Sequence, residues 1–375
     1  MDLGFNDQQQ MLRDTTRRFL ENEAPVARAR ELFGDPIGFD RELWRKGAEL
    51  GWSAPAIPAE YGGGSVSGQS VIDLVAIAEE MGRFVFSGPF LGTNVVAAAI
   101  AEFGSDEQQK EILPGIASGD STAAWCFAEA SGIWDADGIR TTVKRDGGDL
   151  LLDGTKMYVD GARSASWLLV TAKGDDGVVQ VVVPADRPGV GITPLETLDP
   201  TRPMCEVIFD GVRLPGSAVL GDPSTAGSAV ERQMQIALVL LCADSVGGAD
   251  RVLEMSVGYA KDREQFGRPI GSFQAIKHKA ANMLLWLEAS RAATYYAALA
   301  VEGSLDEAPL AVSAAKSYVG ESAGALAEEG LQIHGGIGFT WEHDIHLYLR
   351  RAKSNEVLYG DPAWHRERVC RIVGV

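Results

Sequence analysis

A chain of 375 residues with ordinary globular proportions of apolar and charged side chains is long enough for roughly two or three domains and a large buried core. A net charge of −18 argues against nucleic acid or an anionic membrane as the main partner. Cys126, Cys205, Cys242 and Cys370 are scattered without a CxxC pair, no secretory signal is visible, and the longest apolar run (236–243) is far shorter than the about 20 residues that span a bilayer, so a soluble protein of the reducing cytoplasm is expected.

Residues 1–118 read as a helical domain. Asn6 or Asp7 caps a first helix through Met11, Phe19 and Leu20, and a second covers Arg41 to Leu50, stopping at Gly51. Pro55, Pro58 and Gly62-Gly63-Gly64 make a turn; no strand precedes the glycines and no Lys-Ser/Thr follows, so they are not a phosphate loop. Helices resume from Gln69 to Met81, around Val95 to Phe103, and from Asp106 to Ala117. Residues 119–224 then alternate in period two between Gly-Asp turns, at 145–149, Asp153-Gly154, 174–177 and Asp210-Gly211, which predicts an antiparallel β domain with hairpins rather than a Rossmann unit. Residues 225–375 carry long amphipathic segments at 228–262, 271–302 and 308–334 and a shorter one near 362–373, a four-helix bundle. The fold class is α+β, in the order helices, β domain, helical bundle.

Leu50-Gly51-Trp52, Pro58 to Gly63, Ala78-Glu79-Glu80-Met81-Gly82, Lys156-Met157-Tyr158-Val159, Tyr259 to Gly267, Phe273-Gln274 and Gln332-Ile333-His334-Gly335-Gly336 occur in an order and spacing that resembles the acyl-CoA dehydrogenase family over nearly the whole chain. That resemblance implies an acyl-CoA dehydrogenase-like fold and an FAD enzyme that removes an α proton and a β hydride from an acyl-CoA thioester. It also implies electron-transfer flavoprotein as acceptor and a tetramer with FAD shared across a subunit interface. For FAD it points to Arg263 as a cation for the pyrophosphate, Phe266 as an apolar wall and Gln274 as an amide. Gln332, Gly335 and Gly336 would meet the FAD of a neighbouring subunit.

The flavin and substrate segments depart from the family pattern. Phe127 and Ala128 open the segment Ala128 to Asp135, in which a hydroxyl expected toward the flavin is Ala128 and a small serine is Trp134. Tyr158 retains a ring able to stack on flavin, and Asp160 is positioned to hydrogen-bond near its N5. Where the family keeps its catalytic glutamate stands Tyr359, a poor base at neutral pH because a phenol titrates near 10.

Asp244 is the replacement candidate. It sits in an apolar helical run, shares a face with Ala237, Leu240, Leu241, Gly248 and Arg251, and has Gly247 and Gly248 beside it to leave room for substrate. The pattern resembles the actinobacterial steroid- and cholesterol-degrading branch, in which an acid at about this place serves as base. The competing reading is a structural Asp paired with an arginine such as Arg251. His343-x-x-His346 lacks a third ligand, so no metal is expected. Three functions follow: dehydrogenation of a branched or steroid-derived acyl-CoA with Asp244 as base; a non-catalytic half-site subunit of an α2β2 heterotetramer with a paralogue; or an oxidase on the same fold.

Overall fold

The computed structural model describes residues 4–35, 37–135 and 138–375. Asn6 is the first cap. Its Oδ1 accepts the Gln9 amide at 2.9 Å while Gln9 Oε1 accepts the Asn6 amide at 2.9 Å, and α1 (Asp7–Glu23) starts from this reciprocal box. After α2 (Val26–Glu31), which the pattern did not signal, come α3 (Arg41–Glu49), α4 (Ser70–Arg83), α5 (Phe90–Phe103) and α6 (Asp106–Ala117). α5 begins five residues before the expected start because Phe90 to Ile100 is buried on every side, which removes the amphipathic period that marks a helix.

By contacts the chain falls into two compact units. One takes the chain up to Arg30, Leu74–Phe86 and Leu238–Val375; the other takes Glu31–Asp73 and Ser87–Ala237. The N-terminal helices therefore divide, with α1 among the C-terminal helices and α5 and α6 with the sheet.

The sheet contains β1 (Ala123–Cys126), β2 (Thr142–Asp146), β3 (Asp149–Asp160), β4 (Trp167–Gly174), β5 (Gly177–Pro184), β6 (Val190–Pro194) and β7 (Met204–Pro215), in the order β1-β4-β2-β3-β7-β6 with β5 added on β4. Gly147-Gly148 and Asp175-Asp176 close hairpins as expected. Two features differ. β1 runs parallel to β4, since no tight hairpin dictates its direction, so the sheet is mixed. Asp153-Gly154 and Asp210-Gly211 are not turns; they lie opposite each other within β3 and β7, where the register shifts and Asp153 Oδ1 accepts the Gly211 amide at 2.8 Å. Gly154 is required there, because a Cβ would meet the Thr141 backbone at 2.6 Å and its φ is +147°.

The other unit is built on α7 (Ala226–Asp262) from Leu238 onward, followed by the small hairpin β8 (Glu264–Gln265) and β9 (Arg268–Pro269), then α8 (Gln274–Glu302), α9 (Ala308–His334), α10 (Ile345–Val357) and α11 (Pro362–Val373). α10 is an addition to the expected bundle. α4 crosses α7 at backbone contact: a Cβ on Gly82 would lie 1.8 Å from the Asp244 carbonyl oxygen, and one on Gly247 1.7 Å from that of Glu79. Gly247 is thus spent on helix packing rather than on space for a substrate. No helix among the described residues is long and apolar enough to cross a membrane.

Candidate functional site

Chemistry-bearing residues in the sheet unit gather where β1 ends beside β3. The buried Trp125 ring stacks on Phe127 at 5.0 Å and 13°, and its Nε1 donates to Gln233 Oε1 at 2.9 Å, so Phe127 leaves the strand in a fixed orientation. Phe127 and Ala128 are both buried, and the Ala128 carbonyl accepts the Met157 amide at 2.9 Å. A β-bulge between Lys156 and Val159 then turns Tyr158 outward, with φ +55° and 42% of its surface exposed. A left-handed tyrosine costs about 1–3 kcal/mol and is a form of strain that concentrates at ligand sites. Asp160 is buried opposite Met204, followed by left-handed Gly161, and Trp134 is half-buried in the loop after Ala128.

Beneath these residues lies a pair that the sequence reading passed over. Lys156 has no exposed surface; its Nζ donates to Glu129 Oε1 at 2.7 Å and to the Phe127 carbonyl at 3.1 Å. The available signal was a lysine directly before Met157-Tyr158-Val159, in a motif separate from the one that carries Glu129.

In the helical unit, Arg263 is exposed just past the end of α7, and its carbonyl accepts the Ile270 amide at 2.8 Å to close the β8–β9 hairpin. The two residues at the hairpin tip, Phe266 and Gly267, both have positive φ, a backbone that suits glycine at Gly267 and strains Phe266. Phe266 is 92% exposed, in edge contact with Phe273 at 6.1 Å, and Arg268 lies over Phe273 at 4.2 Å. Gln274 is exposed at the start of α8. One turn before Arg263, Tyr259 stacks on His334 at 4.6 Å, which brings the hairpin's base together with the end of α9. Gln332 is exposed there, and Cβ atoms on Gly335 and Gly336 would meet nothing within 4 Å, so this backbone stands open to a ligand.

The hairpin offers a cation, an aromatic plate and an exposed amide, and the end of α9 an exposed amide and bare backbone; each set fits part of a dinucleotide with its pyrophosphate. His343 and His346 lie against aromatic rings at tilted angles. His343 lies 4.6 Å from His334, and His346 lies 4.7 Å from Trp341. Among the described residues no three His, Cys, Asp or Glu side chains are grouped to hold a metal.

Asp244 is 7% exposed and both its oxygens are engaged. Arg351 Nη1 donates to Oδ2 at 3.0 Å and Asn355 Nδ2 to Oδ1 at 2.6 Å, an i,i+4 pair on α10 that grips one carboxylate. Arg351 also donates to the Phe86 carbonyl at 3.2 Å. The partner is therefore Arg351; Arg251 pairs with Glu254 at 3.0 Å. Tyr359 is buried, with φ +58°, in a turn held by its neighbours. Lys316 Nζ donates to the carbonyls of Glu356 at 2.9 Å and Gly360 at 2.8 Å, and His365 Nε2 lies 3.2 Å from the Tyr359 carbonyl. Burial pushes Lys316 down to about 8 and His365 down to about 3.

Comparisons place this geometry among known proteins. The family model described as acyl-CoA dehydrogenase, N-terminal domain, matches residues 6–120, the middle domain 124–212 and the C-terminal domain 227–374. The chain is 30% identical to acyl-CoA dehydrogenase IpdE2 of Mycolicibacterium smegmatis, over 98% of each protein. Among solved structures, the ChsE4-ChsE5 complex from Mycobacterium tuberculosis is similar with TM-score 0.91 at 28% identity, covering 100% of this chain and 99% of that one. A variant of the Tcur3481-Tcur3483 steroid ACAD is similar with TM-score 0.89 at 30% identity, covering 100% and 99%.

Proposed function

We propose, for a chain that belongs to the acyl-CoA dehydrogenase family, the role of an FAD-holding subunit without its own base, in a heteromeric dehydrogenase acting on a bulky, steroid-derived acyl-CoA. The family carries FAD and performs α,β-dehydrogenation of acyl-CoA thioesters, in which bound FAD supplies the acceptor for the β hydride. In this reading Arg263 pairs with the pyrophosphate while Phe266 and Gln274 cover it. Tyr158 stacks against the flavin beside Phe127 and Ala128, with Asp160 behind it, and Trp134 borders the pyrophosphate or CoA. Gln332, Gly335 and Gly336 approach the cofactor held by a neighbouring subunit.

The observation that carries the reading is the engagement of Asp244. Removing a thioester α proton needs a desolvated carboxylate free to reach it, and here Arg351 takes one oxygen while Asn355 takes the other. Tyr359 offers no replacement, being buried in a braced turn. The base then comes from a paralogous subunit, and electrons leave to an electron-transfer flavoprotein. Support for a heteromer and a steroid-derived substrate comes from two similar structures, each named as a two-component complex and one as a steroid ACAD.

One observation favours the other reading, a self-sufficient enzyme with Asp244 as base: the burial of this carboxylate in an apolar stretch of α7. Expression of the chain alone and together with a paralogous subunit separates the two. The proposal expects stoichiometric flavin and anaerobic bleaching by acyl-CoA only from the pair. A yellow protein obtained from the chain alone and bleached by substrate sinks it.

A further inference from the structure

The Glu129–Lys156 pair has no part in the chemistry above, yet it lies directly beneath the proposed flavin segments. Glu129 Oε1 accepts Lys156 Nζ at 2.7 Å and the Thr141 amide at 3.0 Å; Oε2 accepts the Arg140 amide at 2.8 Å. One carboxylate therefore ties the chain at Glu129 to the backbone of Arg140 and Thr141, forming a loop neck at these residues. The ammonium that neutralises this carboxylate comes from β3 and also holds the Phe127 carbonyl at 3.1 Å. Between the lysine and Tyr158, the Met157 amide donates to the Ala128 carbonyl at 2.9 Å. Three segments are thus tied at one point: the end of β1, the loop neck, and the bulge that turns Tyr158 outward.

Apolar side chains would fill this space at lower cost, because a buried ion pair seldom recovers its full desolvation. What such a pair provides is fixed geometry. Its charge-assisted bonds are directional and hold a strained left-handed tyrosine in place.

We infer that Glu129 and Lys156 are positioning residues for the flavin, presetting the Phe127–Ala128 edge and Tyr158 before the cofactor binds. The inference rests on the proposed placement of the flavin against these segments. The pair acts through them, without touching the ring.

The test uses the purified protein, with its paralogous subunit where flavin loading requires it, carrying E129Q together with K156M. The first substitution keeps an acceptor for one of the two amides, and the second removes the buried charge without leaving a void. Circular dichroism is expected to be unchanged, FAD binding to be about tenfold weaker, equivalent to about 1.4 kcal/mol, and the visible flavin band to shift. In a Tyr158→Ala background the same double substitution is expected to weaken FAD binding further by less than twofold, since its effect passes through Tyr158; full additivity overturns the inference, as independent structural damage would produce it. Unchanged affinity and spectrum in E129Q/K156M, with Tyr158→Ala perturbing both, overturns the positioning role alone. Unchanged affinity and spectrum in Tyr158→Ala overturns the flavin placement and the inference with it. Should the double variant fold poorly, hydrogen exchange in the wild-type apoprotein decides: slow exchange of the Arg140, Thr141 and Met157 amides supports presetting, and fast exchange that slows only on FAD loading contradicts it.

Discussion

Asp244 on α7 and Arg351 on α10, 107 residues apart in sequence, are joined Oδ2 to Nη1 at 3.0 Å with both side chains buried. Such a pair is strongly coupled, because losing either partner leaves the other charge buried and uncompensated. Arg351→Leu is expected to lower stability on the order of 3 kcal/mol in urea unfolding, and Asp244→Leu by a similar amount. The double substitution should cost clearly less than the sum of the two. Additive losses would show that the pair contributes nothing beyond its separate contacts.

The α4–α7 crossing sets a steric contrast along one helix. Gly247→Ala puts a methyl group 1.7 Å from the Glu79 carbonyl oxygen and forces the helices apart, at a cost of about 3 kcal/mol or more. Gly258→Ala on the same helix meets nothing within 4 Å and should stabilise by about 0.5–1 kcal/mol through helix propensity. Thermal unfolding of the two variants checks both signs.

His365 predicts an acid limit to stability. In the folded chain burial, reinforced by the nearby Lys316 ammonium, holds its imidazole down to about 3, against an ordinary 6.5. As pH falls through 6.5 the unfolded chain takes up a proton that the folded chain refuses until about 3. The contribution of His365 is therefore complete above 6.5 and lost progressively toward 3. His365→Gln keeps a donor for the Tyr359 carbonyl but cannot titrate, so its melting temperature should fall less steeply than wild type across that window. Parallel curves would contradict the prediction.

Phe266 separates binding from folding. With 92% of its surface exposed it contributes little to the fold, so Phe266→Ala should shift unfolding by no more than about 0.5 kcal/mol. FAD affinity, read by flavin fluorescence, should fall about tenfold as the plate over the cofactor is lost. Unchanged affinity would place Phe266 outside the cofactor site.

Local chemistry made much of the fold legible. The expected cap at Asn6 or Asp7 and the expected start at Asp106 fall where α1 and α6 begin, and paired turn residues mark two hairpins. The misreadings occur where a local signal serves a tertiary purpose. Asp153-Gly154 and Asp210-Gly211 look like turns but answer each other across a bulge, a match visible only once β3 and β7 are paired. α10 carries Arg350, Arg351 and Lys353 in a mixed stretch without a clear apolar face, and Arg351 is buried there by its partner rather than by its own apolarity. At the candidate site, Arg251 lies two turns from Asp244 along one helix and is the nearer arginine in sequence, yet the fold supplies Arg351. Motif order singled out the segments proposed to hold the cofactor, but nothing in the order revealed that Lys156 is wholly buried or that Glu129 binds the Arg140 and Thr141 amides.

The proposal that this chain lacks its own base is tested most directly by anaerobic stopped-flow reduction of FAD in the assembled holoenzyme carrying Asp244→Asn, at a temperature where circular dichroism shows the variant folded. With Asp244 spent on Arg351 and Asn355, bleaching by the acyl-CoA substrate should proceed within about threefold of the wild-type rate, a difference below about 1 kcal/mol in barrier. A loss of about a thousandfold with the FAD spectrum intact would identify Asp244 as the proton acceptor and contradict the account.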